Sequence, residues 1–339
     1  MTFTLQPPGD LDDLKNLSAR IGHDPLLIQG AGGNTSVKAD GVMWIKASGT
    51  LLADALERSI FVPVDVSAMR NAMNEDTERA DQTANFIIGE GALRPSIETS
   101  LHAVLDKRIV VHAHCVKTLA FATRSDAEET LRGRLDAFNW CLVPYTKPGA
   151  NLARKVLDRI NRDTDVVVLA NHGLLIAADS VANAEQLLMK VVSALTSSSA
   201  ASGAVDQNGL YQMAGNMYEV PDPSDSVHQL ALHPNRLQKA TGGSLYPDHV
   251  IFCGIGATAL KAGQPVSALS PPPVFIIVPD KGALMRRDAS SGARALATCL
   301  ADVLMRVPDD ASLAYLTDAE NRELLNWDAE KYRQAMNDG

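Results

Sequence analysis

The chain has no apolar run of the length needed to cross a membrane. Its start, Met1-Thr2-Phe3-Thr4-Leu5-Gln6-Pro7-Pro8, lacks both the basic region and the apolar core of a secretory signal. Together these absences predict a cytoplasmic protein. Cysteine is sparse: Cys115, Cys141, Cys253 and Cys299 stand isolated with no Cys-x-x-Cys pair, so reduced thiols are expected rather than disulfides or a thiolate metal site. Basic clusters are missing too. With a net charge of −9, the chain has nothing resembling a phosphate-backbone footprint, which excludes nucleic acid as the expected partner. The one glycine-rich stretch near the N-terminus, Gly30-Ala31-Gly32-Gly33-Asn34, lacks the third glycine of a dinucleotide fingerprint and follows no strand-like run, so a Rossmann domain is excluded as well. No internal repeat is visible. What remains is 339 residues, 46% of them hydrophobic, enough for one large or two smaller domains of a soluble enzyme.

Among the residues present, His112-Ala113-His114 at the end of the apolar run Ile109-Val110-Val111 is the most informative. An extended strand sends alternate side chains to one face, so the two imidazoles stand side by side. They read either as half a metal site or as hydrogen-bonded histidines at a strand end. A second buried-looking run, Val166-Val167-Val168-Leu169-Ala170, ends in the turn signal Asn171-His172-Gly173 and leaves His172 at a strand terminus. In Arg94-Pro95-Ser96-Ile97-Glu98-Thr99-Ser100-Leu101-His102, Pro and Ser before an acidic residue signal a helix start. Glu98 there either compensates the helix dipole or serves as a base beside a metal. Three histidines and one carboxylate suffice for a catalytic zinc. Cys115 points to the opposite strand face and reads as packing, as does His102. His23 has a local role beside an Asp-Pro turn, and no spacing links His228, His233 and His249, which read as surface residues.

Periodicity and punctuation predict a helix over Leu11 to Ile21, then a hairpin of Thr35 to Lys38 and Val42 to Lys46 around Ala39-Asp40-Gly41. Lys38 and Lys46 read as solvated strand-edge residues, with Lys46 the better candidate for a binding role. Helical patterns follow at Val66 to Met73, Ile97 to Leu105, Thr118 to Thr123 and Asn151 to Arg162. Strand patterns lie at Ile109 to His114, Cys141 to Val143 and Val166 to Ala170. Gly173 to Ala177 turns the chain back as an antiparallel neighbour, and a long helix runs from Val181 to Leu195. The small, polar stretch Thr196 to Gly203 marks a boundary. Beyond it, Val250-Ile251-Phe252 and Val274 to Val278 read as strands, Gly292 to Val303 as a helix, and Leu324 to Met336 as a C-terminal helix that packs Trp327 and Tyr332.

Five elements in register carry a family resemblance: Gly32-Gly33-Asn34-Thr35-Ser36, Ser48-Gly49-Thr50, Glu98, His112/His114 and Asn171-His172-Gly173. In order and spacing, over roughly residues 10 to 200, the chain resembles the class II aldolase/adducin family. More narrowly, Gly-Gly-Asn-Thr-Ser-Val-Lys, Trp-Ile-Lys-Ala-Ser-Gly-Thr and Pro-Ser-Ile-Glu-Thr-Ser-Leu-His are similar to the aldolase part of bifunctional rhamnulose-1-phosphate aldolase/alcohol dehydrogenases. Leu245-Tyr246-Pro247-Asp248 and Trp327-Asp328-Ala329-Glu330-Lys331-Tyr332-Arg333 look like the same subgroup. Those proteins continue into a dehydrogenase domain, whereas this chain stops at Gly339, so no dehydrogenase activity is expected.

The resemblance implies an α/β protein with a three-layer αβα class II aldolase-like fold, a mainly antiparallel central sheet and a C-terminal α/β extension. It places a catalytic domain at 1–200 and the extension at 205–339, packed on that core. His112, His114 and His172 are implied as ligands of a divalent metal, zinc above all, with Glu98 as the catalytic residue that moves a proton. Asn34, Ser48, Gly49 and Ser96 are implied as ligands of a substrate phosphate. Ile97 stands where sugar-phosphate aldolases of the family carry a second serine, so one hydroxyl donor is missing. The implied function is a metal-dependent aldolase, a lyase that cleaves a small ketose or ketose 1-phosphate by retro-aldol chemistry through a metal-stabilised enediolate. Decarboxylases and 4-epimerases of the family use related intermediates, and an adducin-like binding module keeps the fold without the chemistry. Family active sites lie at the interfaces of a four-fold ring, so a homo-oligomer, a tetramer, is expected, with Tyr145 or a neighbouring subunit as candidate proton donor.

Overall fold

Alternate side chains along the buried strands separate into two apolar layers, as a sheet covered on both faces requires. The computed structural model describes residues 5–197, 199 and 202–327. Its larger sheet has seven strands: β1 (Asn34–Ala39), β2 (Val42–Lys46), β3 (Phe61–Asp65), β4 (Ile109–Ala113), β5 (Trp140–Val143), β6 (Val166–Leu169) and β7 (Gly173–Ala178), in the order β3-β2-β1-β4-β7-β6-β5. Every neighbouring pair is antiparallel except β5 with β6. Ile109, Val111 and Ala113 of β4 join Val166, Val168, Leu174 and Ile176 in one layer, with helices Leu11–Gly22 and Val181–Ala194. Val110, Val167, Leu175 and Ala177 face the other, which holds helices Val66–Glu75 and Ala150–Leu157. His112 shares the parity of Val110, and β4 pairs with β1 on one side and β7 on the other, opposite Asn34 and Leu175.

The expected hairpin forms, with Asp40 and Gly41 both at positive φ, as a tight primed turn demands. Strand β3 has no clear alternation in the sequence, because Pro63 interrupts its pattern; the proline is accommodated because β3 sits at the sheet edge. The helix Ala127–Leu135 likewise carries a weak signal, since only Ala127, Leu131 and Leu135 of it are buried and Gly133 weakens the pattern. The helix expected over 97–105 is shorter, Thr99–Ala103, and begins just after Glu98.

A second sheet takes the order β8 (Tyr218–Glu219), β11 (Gly282–Arg286), β10 (Phe275–Val278) and β9 (Thr258–Ala259). The helix Ser291–Leu304 packs on it and also on the first half: Val116, Leu119 and Ala120 share one apolar cluster with Leu296, Leu300 and Val303. Burying each such Leu or Val contributes about 1.5–3 kcal/mol, so the two halves are joined by a substantial apolar seam.

Two expectations for this region fail. Val250-Ile251-Phe252 is not a strand but part of the helix Pro247–Cys253, because Pro247 occupies its first turn, where its fixed φ favours helix entry and its missing N–H costs nothing. His228 and His249 are buried, not on the surface. Backbone groups meet them: the Ala283 N–H donates to His228 Nδ1 at 3.0 Å, and His249 Nε2 donates to the Gly256 carbonyl at 3.0 Å, leaving His249 Nδ1 without a hydrogen bond. His233 is half-exposed, 3.7 Å from the Asp309 carboxylate. The final described helix is Asp318–Leu325, started by a capping box of Thr317 and Glu320. The rest of the expected 324–336 helix, with Tyr332, lies outside the described residues, as do positions 198, 200 and 201 of the 196–203 boundary. No described helix is long and apolar enough to cross a membrane.

Candidate metal centre

The centre is assembled at the end of β4. His112 is its penultimate residue, His114 follows its last one, and His172 sits in the turn from β6 to β7, where Asn171 takes a φ of 56°. Asparagine tolerates that left-handed conformation better than most residues. Gly173 opens β7 because a Cβ there would stand 2.6 Å from the Ala113 carbonyl oxygen. Glu98 arrives from a segment that runs beside the end of β2: the Ser48 N–H donates to the Arg94 carbonyl and the Ser96 N–H to that of Lys46.

All four side chains are buried, and one ligand-capable atom from each lies within 4.8 Å of all the others. Glu98 Oε2 is 3.3 Å from His112 Nε2, and Oε1 is 3.2 Å from His172 Nε2. The two strand histidines meet Nε2 to Nε2 at 3.0 Å. His112 Nδ1 is 3.1 Å from the Leu174 carbonyl and His114 Nδ1 is 2.9 Å from the Asp248 carboxylate. Those oxygens only accept, so each Nδ1 donates its proton, and in a neutral ring Nε2 is then a bare lone pair. Two bare nitrogens at this distance repel each other unless a cation lies between them. Tetrahedral zinc with Zn–N near 2.05 Å would hold two nitrogens roughly 3.3 Å apart, so the donor set fits a divalent metal.

Electrostatics agree. Burial pushes the His112 pKa down to about 3, helped by the other two imidazoles and opposed by Glu98. Burial would raise the Glu98 carboxyl, but the surrounding histidines more than reverse it and hold it well below the usual range. An ionised Glu98 carboxylate beside a His112 ring kept from protonating presents negative charge and a free lone pair, a donor pair suited to a dication. His102 lies behind it, its Nδ1 2.8 Å from the Ser36 hydroxyl, and burial first, then Lys38 and His112, keep its pKa well below normal.

Beside the cage a narrow cleft is lined by Gly32, Gly33, Asn34, Ser48, Gly49 and Ser96. Asn34 Nδ2 donates to Ser96 Oγ at 3.1 Å and to Glu98 Oε2 at 2.8 Å. Both of its amide protons are thus engaged, which leaves backbone N–H groups and serine hydroxyls as the donors that can face an anion. Gly49 has a φ of 76°, a turn that favours glycine. The loop precedes a strand and not a helix. Neither lysine is a solvated edge residue. Lys46 is 2% exposed and donates to the Ala31 and Gly33 carbonyls beneath the loop, whereas Lys38 donates to those of Leu105 and Lys107. Tyr145 packs near Val250, Ile251, Leu316 and Leu324.

The residue that sequence reasoning missed is Asp248. It appears there only within a subgroup pattern, and the signal that would have placed it, Pro followed by Asp as a helix start, was overridden by the β-like run after it.

The model of the class II aldolase and adducin N-terminal domain matches residues 17–196. The structure of the N-terminal class II aldolase domain of a conserved protein from Thermoplasma acidophilum is 28% identical with a TM-score of 0.50, over 57% of this chain and 94% of that one. An L-fuculose 1-phosphate aldolase matches at 22% identity and a TM-score of 0.40, over 56% of this chain and 84% of its own. Among curated proteins, the uncharacterized oxidoreductase YuxG of Bacillus subtilis (strain 168) is 29% identical over 188 residues, 50% of this chain. The match spans only 27% of that protein's length.

Proposed function

Because the chain belongs to the class II aldolase and adducin family, we propose that it is a metal-dependent carbon–carbon lyase cleaving a small ketose or ketose 1-phosphate by a retro-aldol step. The observation that carries this reading is the convergence of His112, His114, His172 and Glu98 on one buried point. A divalent ion there, zinc in our reading, supplies Lewis-acid stabilisation of the negative charge that develops on substrate oxygens.

The chain's own residues divide the remaining work. Asn34 holds Glu98 through Oε2, while Oε1, which faces His172 Nε2 at 3.2 Å, is the oxygen that takes a proton from, or returns one to, the substrate carbon. Ser48, Gly49, Ser96 and the backbone of the Gly32–Asn34 loop bind the far end of the substrate, a phosphate or its terminal hydroxyls, with the buried Lys46 charge under the loop. The burial of all four centre residues limits the water that reaches the Glu98 carboxylate. We assign the catalytic domain to 1–200 and an extension to 205–339, and place the enzyme in the cytoplasm as a homotetramer acting on small sugars.

The test is a screen of metal-replete protein against free and phosphorylated ketoses, reading the products. An aldehyde released together with a ketol or ketol phosphate is the expected result. Carbon dioxide without aldehyde, or an isomer of unchanged mass, would replace the lyase with a decarboxylase or an epimerase. Freshly purified protein free of divalent metal yet active would overturn the metal-dependent reading.

A further inference from the structure

The residues matched by the family model end at 196, yet the surroundings of the metal centre do not. Asp248, in the first turn of the Pro247–Cys253 helix, places Oδ2 2.9 Å from His114 Nδ1, and both side chains are more than nine-tenths buried. The first half of the molecule is shaped around this pair: a Cβ on Gly32 would lie 2.8 Å from His114 Nδ1 and 3.1 Å from Asp248 Oδ2. The same segment also restrains the His172 turn. Asn171 Nδ2 donates to the Leu245 carbonyl at 2.9 Å and to that of Ala314 at 2.6 Å. The Leu316 N–H in turn donates to Ser244, which ties both acceptor segments together.

A carboxylate that accepts from one ring nitrogen fixes the tautomer and orientation of the imidazole and makes the other nitrogen a better donor. We propose that Asp248 is a positioning residue for the metal centre: it holds the His114 ring with the Nε2 lone pair turned toward His112 and Glu98. A centre whose ligands all lie within residues 17–196 is thereby completed by a side chain beyond them. This rests on the metal-centre reading above.

The test uses the full chain and two measurements. Zinc affinity is determined by competition with a chelating dye for the wild type, Asp248→Asn, Asp248→Ala and the surface control Asp309→Asn. Nitrogen-15 spectra of histidine-labelled, metal-free protein report the His114 Nδ1–H. We expect Asp248→Asn, which keeps the shape and an acceptor oxygen but loses the charge, to bind zinc about tenfold more weakly, and Asp248→Ala about 10–100-fold more weakly. The His114 Nδ1–H resonance should shift in the first and broaden into solvent exchange in the second, with Asp309→Asn unchanged in both measurements. A folded Asp248→Asn with zinc affinity within about twofold of wild type and an unmoved His114 resonance overturns the proposal, whether or not Asp248→Ala folds. If the wild type binds no divalent metal, the metal-centre reading has failed; the resonance then decides alone, and an unmoved one overturns the role given to Asp248.

Discussion

His112, in β4, and His114, just past its end, stand two residues apart on the same side, and they are held in different ways. The His112 ring is anchored within the seven-stranded sheet, by the main-chain oxygen of Leu174 on the neighbouring strand. The His114 ring is anchored by a side chain that arrives from 134 positions along the chain (248 − 114). His172 belongs to the second kind as well, since Asn171 ties its turn to Leu245 and Ala314. The sheet-held half of the centre, His112 with Glu98 and Asn34, depends on backbone register. The half held by the C-terminal region depends on individual side chains, and those can be exchanged one at a time without disturbing the ladder.

The strongest way to break that comparison is to remove a ligand from each half. His112→Ala and His172→Ala should both abolish stoichiometric metal, losing more than the roughly 10–100-fold typical of outer-shell changes. Elemental analysis after dialysis checks this, and one variant that retains a full complement would remove that histidine from the centre. Next comes Glu98→Gln, expected to keep the metal while lowering turnover by about 10²–10⁴-fold, the range for a lost general base. Loss of metal in that variant would make Glu98 primarily a ligand.

Asn171→Ala should cost about 3 kcal/mol, through an unfavourable left-handed backbone and the loss of the donor to one buried and one part-buried carbonyl. Asn171→Gly relieves the first cost and keeps the second, so urea midpoints of the two variants separate turn strain from the tether. The smallest effect is a control far from the centre. Two Arg108 hydrogen bonds hold the Asp10 carboxyl below its ordinary value. Its stabilisation is therefore complete above that ordinary value, near 3.9, and is lost as pH falls through the lowered one. Asp10→Asn should cost only about 0.5 kcal/mol at pH 7 and make stability less steep toward pH 3, without altering metal content.

How legible each half was in the sequence follows the same division. In β4 and β6 the runs are short and rich in β-branched residues, Asn171 and Gly173 punctuate the turn into β7, and both faces are apolar, so strand, turn and histidine parity all agree. The sheet-held residues were therefore within reach of periodicity. Glu98 was legible as to place but not as to direction: it precedes its helix, makes no capping hydrogen bond, and turns toward the imidazoles. Beyond residue 205 the patterns are weaker. Val250-Ile251-Phe252 has the composition of a strand, and only Pro247 and the tertiary packing of a seven-residue helix decide otherwise. That misreading hid Asp248, because a strand there gives no reason for an aspartate to face His114. The buried lysines and His228 were missed for a related cause. Their partners are main-chain carbonyls and amides distant in sequence, which composition does not reveal.

Strand β4 lies between two partners, with His112 opposite Asn34 on one side and Leu175 on the other. A one-residue slip would drive the imidazoles in among Leu14, Leu17 and Ile176 and turn Val111 toward Glu98. The misfolded register is thus penalised twice, by buried rings without partners and by displaced aliphatic side chains. The ladder that sets the fold is therefore the same ladder that sets the site.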